Sequence, residues 1–203
     1  IKRLIDKPEA DIAQEMLQTT SEILYQIIFS LSPEQAKQYP LSLSLSLATA
    51  KRKTIRELMA KLGPVISTLL DERKKQRGKF GDMLEVLLEA QDVDPSMTDK
   101  KVQDELLTLF AAGHETTSYA LAWTFYLLSQ NAQVYEKLLD DAINSDDNAY
   151  IVAAFKESLR LYPVIPSAPR VTLQPTVLGG FDIPKGARVF VSFYLIHRHQ
   201  DYW

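Results

Sequence analysis

One segment, from residue 98 to about residue 130, constrains the fold of this chain more than any other. Its apolar side chains recur at helical spacing, and Thr98 or Asp99 can cap its start. The helix would span roughly 50 Å, nearly three times the average length. A helix this long and this apolar is expected to pass through the centre of a domain. The apolar positions are Val102, Leu106, Leu109, Phe110, Ala120, Leu121, Trp123, Phe125, Leu127 and Leu128.

Further helices are predicted on both sides of this segment. Helical spacing of apolar residues and the turn residues between them predict helices over 9–30, 51–77, 81–91, 132–144 and 149–162. The second of these contains Gly63-Pro64, which should kink or split it.

The C-terminal region changes character. Prolines at 163, 166 and 169 stop the helical pattern, and short apolar runs between glycine and proline turns follow. These runs predict strands at Val171–Leu173, Thr176–Leu178 and Arg188–Phe193. The expected fold is mainly α with a small antiparallel β portion. We expect one partial domain over 1–203, with a helical body over 1–165 and a small β region over 166–203.

Alternating leucine and serine from Leu41 to Leu47 has the period of two that is typical of a strand. Its neighbours on both sides are helical, and no partner strand is evident. An irregular loop facing substrate or a membrane is an equally good interpretation.

Composition narrows the class of protein. The net charge of −3 and the lack of a basic stripe argue against a nucleic-acid surface. The basic run Arg73-Lys74-Lys75 is interpreted as a solvated face or a helix C-terminus. The chain has no cysteine, so it offers no disulfide and no thiolate ligand. No apolar stretch reaches the roughly 20 residues of a membrane span. The abrupt ends at Ile1 and Trp203 suggest a fragment.

A polar break interrupts the long helix at Gly113-His114-Glu115-Thr116-Thr117. Threonine can bond back to the carbonyl four residues earlier, and glycine weakens the same turn. A local opening or π-type bulge is therefore expected near 112–117. Glu115 and Thr116 would then supply a proton donor and a hydroxyl beside a small gap. The alternative is a polar patch facing solvent or another helix, with Gly113 allowing close packing.

Two histidine patterns raise the question of a metal. His114-Glu115 begins like the zinc-protease signature H-E-x-x-H, but Ser118 stands where the second histidine should be. That site is rejected. His197 and His199 would share one strand face, yet no third ligand is evident, which favours a surface or packing role.

Glu157 and Arg160 lie three residues apart and should face the same side of a helix. A surface ion pair is one interpretation. The crowding by Phe155, Leu159 and Leu161 leaves a buried, bidentate pair as the other.

Three stretches together resemble the haem-thiolate monooxygenases, the cytochromes P450. AAGHETTSYALAW is similar to the family's oxygen-activating helix, and FKESLRLYP to its E-x-x-R helix. FDIPKGARVFVSFYLIHR is similar to the strand pair that follows. The three motifs occur in the family's order and span 98–203, so the expected fold is an incomplete P450-like helical domain.

The resemblance implies roles for particular residues. Glu115 and Thr116 match the catalytic acid–alcohol pair that supports proton delivery during oxygen activation. Ala112 and Gly113, with Thr116, match residues that lie against the haem and leave room for oxygen.

The second and third motifs add to these roles. Glu157 and Arg160 match a structural salt bridge that supports the haem-binding core. Arg170 is similar to the basic residue that pairs with a haem propionate, which suits a guanidinium.

The chain also departs from the family's pattern. The family's haem ligand is a cysteine in a loop beyond the motif that ends at Trp203, and this chain has no cysteine. The span from Ser32 to Lys51 and the linker Ser145–Asn148 are shorter than the family's usual segments. We therefore expect no metal ligand in this chain, and little or no haem binding by this chain alone.

The resemblance implies an oxidoreductase that uses haem b to insert one oxygen atom into an apolar organic substrate. Electrons would come from a ferredoxin or a flavoprotein, and no nucleic acid is expected as a partner. A cytoplasmic, soluble protein is expected, although an N-terminal membrane anchor could be missing. The alternative is a non-enzymatic helical binding or scaffold protein derived from that family.

Overall fold

A computed structural model of the chain describes residues 9–38, 52–145 and 147–203, and for residues 52–61 it describes the backbone alone. The predicted strand at Leu41–Leu47 lies outside the described residues. The described part is mainly helical with short antiparallel strands, which confirms the predicted fold class. Among these residues, no helix combines the length and the apolar character that crossing a membrane requires.

Eight helices are described; six of them correspond to predicted segments, whereas the two short helices at Pro33–Ala36 and Phe193–Ile196 were not predicted. The long helix begins at Asp99 and ends at Ser129, within one residue of both predicted ends. The helix predicted over 51–77 is continuous through Pro64 and is not split there. The helices are α1 (Ile12–Phe29), α2 (Pro33–Ala36), α3 (Arg52–Lys74), α4 (Met83–Val93), α5 (Asp99–Ser129), α6 (Ala132–Asn144), α7 (Ala149–Leu161) and α8 (Phe193–Ile196).

Four strands form two antiparallel pairs: β1 (Ser167–Val171) with β4 (Arg188–Ser192), and β2 (Thr176–Leu178) with β3 (Phe181–Ile183). The predicted first strand at Val171–Leu173 is wrong by four residues, because the strand begins at Ser167 and includes Pro169. Pro169 lies opposite Phe190 in a two-stranded ladder. A proline is tolerated in such an edge strand, where its missing N–H breaks no central ladder.

Two turns set the course of the chain between strands. Gly179 and Gly180 both have positive φ, the requirement of the tight hairpin turn that connects β2 to β3. Gly186 also has positive φ, and the amide of Ala187 donates to the carbonyl of Pro184 across this turn.

The chain divides into two compact units, Ile1–Tyr119 and Ala120–Trp203, and α5 contributes to both. The first unit has an apolar core formed by α1, α3, α4 and the first half of α5. Its most deeply buried members are Phe29, Ile66, Leu70, Leu84, Leu88, Val102 and Leu106. The prediction of a single partial domain stays a prediction.

A buried ion pair joins α3 to the start of α4 in the first unit. Arg73 donates to both carboxylate oxygens of Asp82, at 2.6 and 2.7 Å, and to the carbonyl of Phe29 at 2.8 Å. Asp82 also caps α4 by accepting from the amide of Glu85. The solvated-face interpretation is therefore wrong for Arg73, because its side chain is 7% exposed. The helix C-terminus interpretation is confirmed, since Arg73 and Lys74 lie in the last turn of α3. Its neighbour Lys74 does lie at the surface, paired with Asp99.

Candidate functional site

The polar segment of α5 keeps regular α-helical geometry. The hydroxyl of Thr116 donates to the carbonyl of Ala112 at 2.7 Å, as the sequence predicts. The predicted opening or π-type bulge is wrong, because α5 is α-helical from Asp99 to Ser129. A carbonyl oxygen has two lone pairs, so it can accept the hydroxyl without giving up its place in the helix.

One side of this segment is buried within the first unit. His114 and Glu115 are 5% and 7% exposed, and Ser118 is 1% exposed. A Cβ atom added at Gly113 would lie 3.0 Å from a methyl of Leu24 on α1. Gly113 therefore permits a close approach of α1, as the alternative interpretation of the polar segment expects. Its predicted place against the haem stays a prediction.

The other side of the same segment is open. Leu109 is 37% exposed, Ala112 is exposed, and Thr116 is partly exposed. These three residues are spaced by three and four positions, so they lie on one face of the helix. The face presents an apolar side chain, a single methyl group and a hydroxyl.

Glu157 and Arg160 form the bidentate pair that one of the two interpretations expects. The guanidinium donates to the two carboxylate oxygens at 2.7 and 2.6 Å. These hydrogen bonds lower the pKa of Glu157 and raise the pKa of Arg160. The side chain of Arg160 is 19% exposed and that of Glu157 is 53% exposed, so only the arginine is largely enclosed.

Arg160 also ties α7 to the end of the chain. Its guanidinium donates to the carbonyl of His197 at 2.7 Å and lies 5.2 Å from the ring of Trp203. These contacts place Arg160 between its own helix and the turn after α8, which a surface ion pair would not do.

The sequence did not reveal the contacts that surround this pair. Trp123 stacks on Tyr162 with ring centroids 4.4 Å apart, and the hydroxyl of Thr124 donates to that of Ser158 at 2.9 Å. Arg198 donates to the carbonyl of Leu161, and its guanidinium lies 3.8 Å from the ring of Tyr194. In the sequence, the one indication of these contacts is Ser158, a small polar residue between Glu157 and Leu159.

Arg170 lies on β1 opposite Val189, and it is exposed. Its guanidinium donates to the carbonyl of Pro169 at 2.9 Å. Within the described part of the chain it makes no ion pair. Arg170 is thus a cation at the surface of the second unit, and its guanidinium can donate hydrogen bonds to a carboxylate.

The predicted site residues therefore form separate groups. Ala112 and Thr116 are joined by a hydrogen bond in the first unit, where Gly113 and Glu115 also lie. Glu157 and Arg160 are joined by an ion pair in the second unit, which also contains Arg170.

The prediction of two histidines on one strand face is wrong. His197 follows the short helix α8, and His199 lies in the turn beyond it. In the described ranges, no three potential ligands among His, Cys, Asp and Glu come together as a metal site.

These elements define a mainly helical protein with a long helix that carries an acid–hydroxyl pair, followed by a helix with a Glu–Arg pair. The chain belongs to the cytochrome P450 family, whose family model matches residues 4–203.

Several relatives show the extent of the similarity. The chain is 30% identical to Cyclooctatin synthase of Streptomyces melanosporofaciens, over 93% of this chain and 48% of that protein. It is 27% identical to Cyclooctat-9-en-7-ol 5-monooxygenase of the same organism, over 97% of this chain and 44% of that protein. The chain thus spans about half the length of the curated relatives it matches.

Solved structures share the fold. A zebra fish cytochrome P450 with abiraterone superposes with a TM-score of 0.75 at 27% identity, over 96% of this chain and 53% of that one. The heme domain of cytochrome P450DA superposes with a TM-score of 0.76 at 24% identity, over 96% of this chain and 50% of that one. The family relationship implies haem iron as the cofactor.

Each of the two units, taken by itself, contains described residues whose chemistry suits part of such a cofactor. The open face of α5 has a methyl group at Ala112 between Leu109 and Thr116, and so small a side chain suits the approach of a flat apolar group. Arg170 offers an exposed guanidinium suited to a carboxylate. The chain has no cysteine, so an axial thiolate is not among the groups that it provides.

Proposed function

We propose that this chain forms part of a haem-dependent monooxygenase that inserts one oxygen atom into an apolar organic substrate. The observation that carries the proposal is the open face of α5, where Ala112 and Thr116 lie side by side in a chain of the P450 family. Two relatives named as a synthase and a 5-monooxygenase support the reaction class.

Haem, when bound, would supply the redox-active iron that activates dioxygen. From this chain, Ala112 and Thr116 would face the cofactor, with Gly113 in the same turn. Arg170 would pair with a propionate, which its exposure leaves room for.

Glu115 and Thr116 would carry protons toward the open face. Glu115 lies on the buried side of α5, whereas Thr116 lies on the open side. Because they are adjacent in sequence, the pair connects the interior of the first unit with the face where protons are needed. A positioned acid and hydroxyl can accelerate such a step by about 10²-fold or more.

The substrate would be an apolar organic molecule, and a ferredoxin or a flavoprotein would supply electrons. A cytoplasmic, soluble setting is part of the same proposal. The alternative of a non-enzymatic scaffold is not favoured, because the named relatives are a synthase and a monooxygenase.

The test is a reduced carbon monoxide spectrum of the full-length protein, together with turnover under isotopically labelled dioxygen. We expect the absorption band that gives the family its name, and one labelled oxygen atom in the product. A haem-loaded protein that transfers no label to any apolar substrate in a broad panel would contradict the proposal.

A further inference from the structure

His114 is enclosed on the buried side of α5, one residue before the acid–hydroxyl pair. Its side chain stacks on Phe110 with ring centroids 5.7 Å apart and an interplanar angle of 21°. The residue is 5% exposed, so its ring is enclosed by protein atoms.

The imidazole hydrogen-bonds to the backbone of Leu17 on α1. The carbonyl of Leu17 also accepts from the hydroxyl of Ser21 at 2.8 Å and lies 3.0 Å from the hydroxyl of Thr20. Three polar side chains, two of them from α1 itself, thus lie at one turn of that helix.

The backbone of His114 is held by the same turn. The hydroxyl of Thr20, which is 3% exposed, lies 3.2 Å from the carbonyl of His114. The carbonyls of Met16 and Leu17 lie 3.0 Å from the same hydroxyl, so its single hydrogen is shared among three acceptors. His114 is therefore attached to α1 at two points, through its side chain and through its main chain. Contacts at two points of one residue oppose rotation of α5 about its own axis more than either contact does alone.

Burial lowers the pKa of His114, and the hydrogen bond to Leu17 opposes this shift only in part. The imidazole is consequently neutral at physiological pH. A neutral ring has one N–H to donate, and the bond to α1 takes it.

We propose that His114 is a positioning residue, which fixes the rotation of α5 against α1 and so holds Glu115 on the buried side and Thr116 on the open side. Successive residues of a helix differ by about 100° in direction, so a small rotation would move both groups. The role in turnover rests on the proposed monooxygenase function, whereas the attachment to α1 does not.

The test compares three variants of the haem-loaded full-length protein. His114→Phe keeps a flat ring but loses the donor, and His114→Gln keeps a donor. Leu106→Val is the matched control, because Leu106 is fully buried in the same helix and lies two turns from His114.

The first readout is amide hydrogen exchange over residues 112–118. We expect about fivefold faster exchange in His114→Phe, the effect of losing one buried hydrogen bond, and near wild-type exchange in His114→Gln. The second readout is product formed per electron pair consumed, which should fall about tenfold in His114→Phe and recover in His114→Gln.

Thr20→Val removes the second attachment without touching His114. It should increase exchange in the same residues, and it keeps the test decisive if His114→Phe does not fold. If these variants match Leu106→Val in both readouts, His114 only fills space and the proposal is overturned. If exchange changes as expected but no variant or wild type forms product, the monooxygenase function fails and the attachment stands.

Discussion

At the scale of the residue, α5 contains its own comparison for Thr116. Thr108 donates to the carbonyl of Asp104 at 2.7 Å, the same bond that Thr116 makes to Ala112. Both hydroxyls are accessible, and the two residues are eight positions apart on one helix. The two threonines differ in the residue that precedes them, since only Thr116 follows a buried glutamate.

Thr116→Ala should uncouple electron consumption from product formation in the full-length enzyme. In the proposed function, losing the hydroxyl removes the group that would carry protons to the open face, so peroxide should replace product. We expect a loss of coupling on the order of 10²-fold, the effect of removing a positioned proton donor. Measuring product, peroxide and reductant consumed would check this, with Thr108→Ala as the control. Unchanged coupling in Thr116→Ala would refute the role.

The sequence predicted the residue types of the site but not their directions. Glu115 and Thr116 were paired by motif, and the bond from Thr116 to Ala112 followed from the rule for threonine in helices. The opposite placement of these neighbours depends on where α1 packs, which no local pattern encodes. The packing of His114 was missed for the same reason, since Thr20 is distant in sequence.

At the scale of the element, the buried pair of Arg73 and Asp82 joins α3 to α4. Burial raises the pKa of Asp82, but hydrogen bonds, with that from Arg73 first among them, outweigh it, and the net pKa is lowered. A lowered pKa in the folded state means that this stabilisation is present above the ordinary value of 3.8. It is lost as the pH falls through the folded-state value.

Arg73→Met should strongly destabilise the first unit. The substitution keeps the bulk but leaves the carboxylate of Asp82 and the carbonyl of Phe29 without their partner, at a cost of about 3–5 kcal/mol. Lys74→Met is the matched control, because the partly exposed pair with Asp99 contributes about 1 kcal/mol or less. Urea unfolding would measure both. Equal decreases in the free energy of unfolding of the two variants would show that the buried pair stabilises the fold no more than the surface pair does.

Arg160→Ala should prevent stable haem incorporation in the full-length protein. The change removes both bonds to Glu157 and the bond to the carbonyl of His197, so α7 loses one of its ties to the turn after α8. Lys156→Ala is the control, since Lys156 is exposed on the same helix. The haem content per polypeptide, from absorbance and mass spectrometry, would decide. A fully loaded variant would argue against this role.

Helix boundaries were predicted less well for α1 and α3, whose bounds differ from the prediction by up to three residues, than for the helices in the second half of the chain. The bounds of α6 and α7 agree with the prediction to within one residue. The start of β1 could not be predicted from the sequence, because a proline such as Pro169 usually ends a regular element. A proline is tolerated within β1 because this strand has only one partner strand, which is a property of the sheet rather than of the segment.

At the scale of the whole molecule, the chain spans about half the length of its relatives. The family could be recognised from three motifs because their order is specific. The division into two compact units could not be recognised from the sequence, because the long helix that contributes to both gives no break in the hydrophobic pattern.

The 203-residue chain by itself should retain haem poorly and give no reduced carbon monoxide band of the family's type. It has no cysteine, and the thiolate is what gives the iron of this family its electronic character. The measurement is the difference spectrum of the purified chain after addition of hemin, with the full-length protein as the control. The family's band in the isolated chain would contradict the expectation.

The bond between Thr116 and Ala112 has a consequence for the order of events on the open face. A hydroxyl has one hydrogen, and that of Thr116 is already committed to a carbonyl 2.7 Å away. What the side chain presents outward at rest is therefore its lone pairs. Its first partner must be a molecule that brings a hydrogen, such as water, and Thr116 can return one only after its side chain releases the helix.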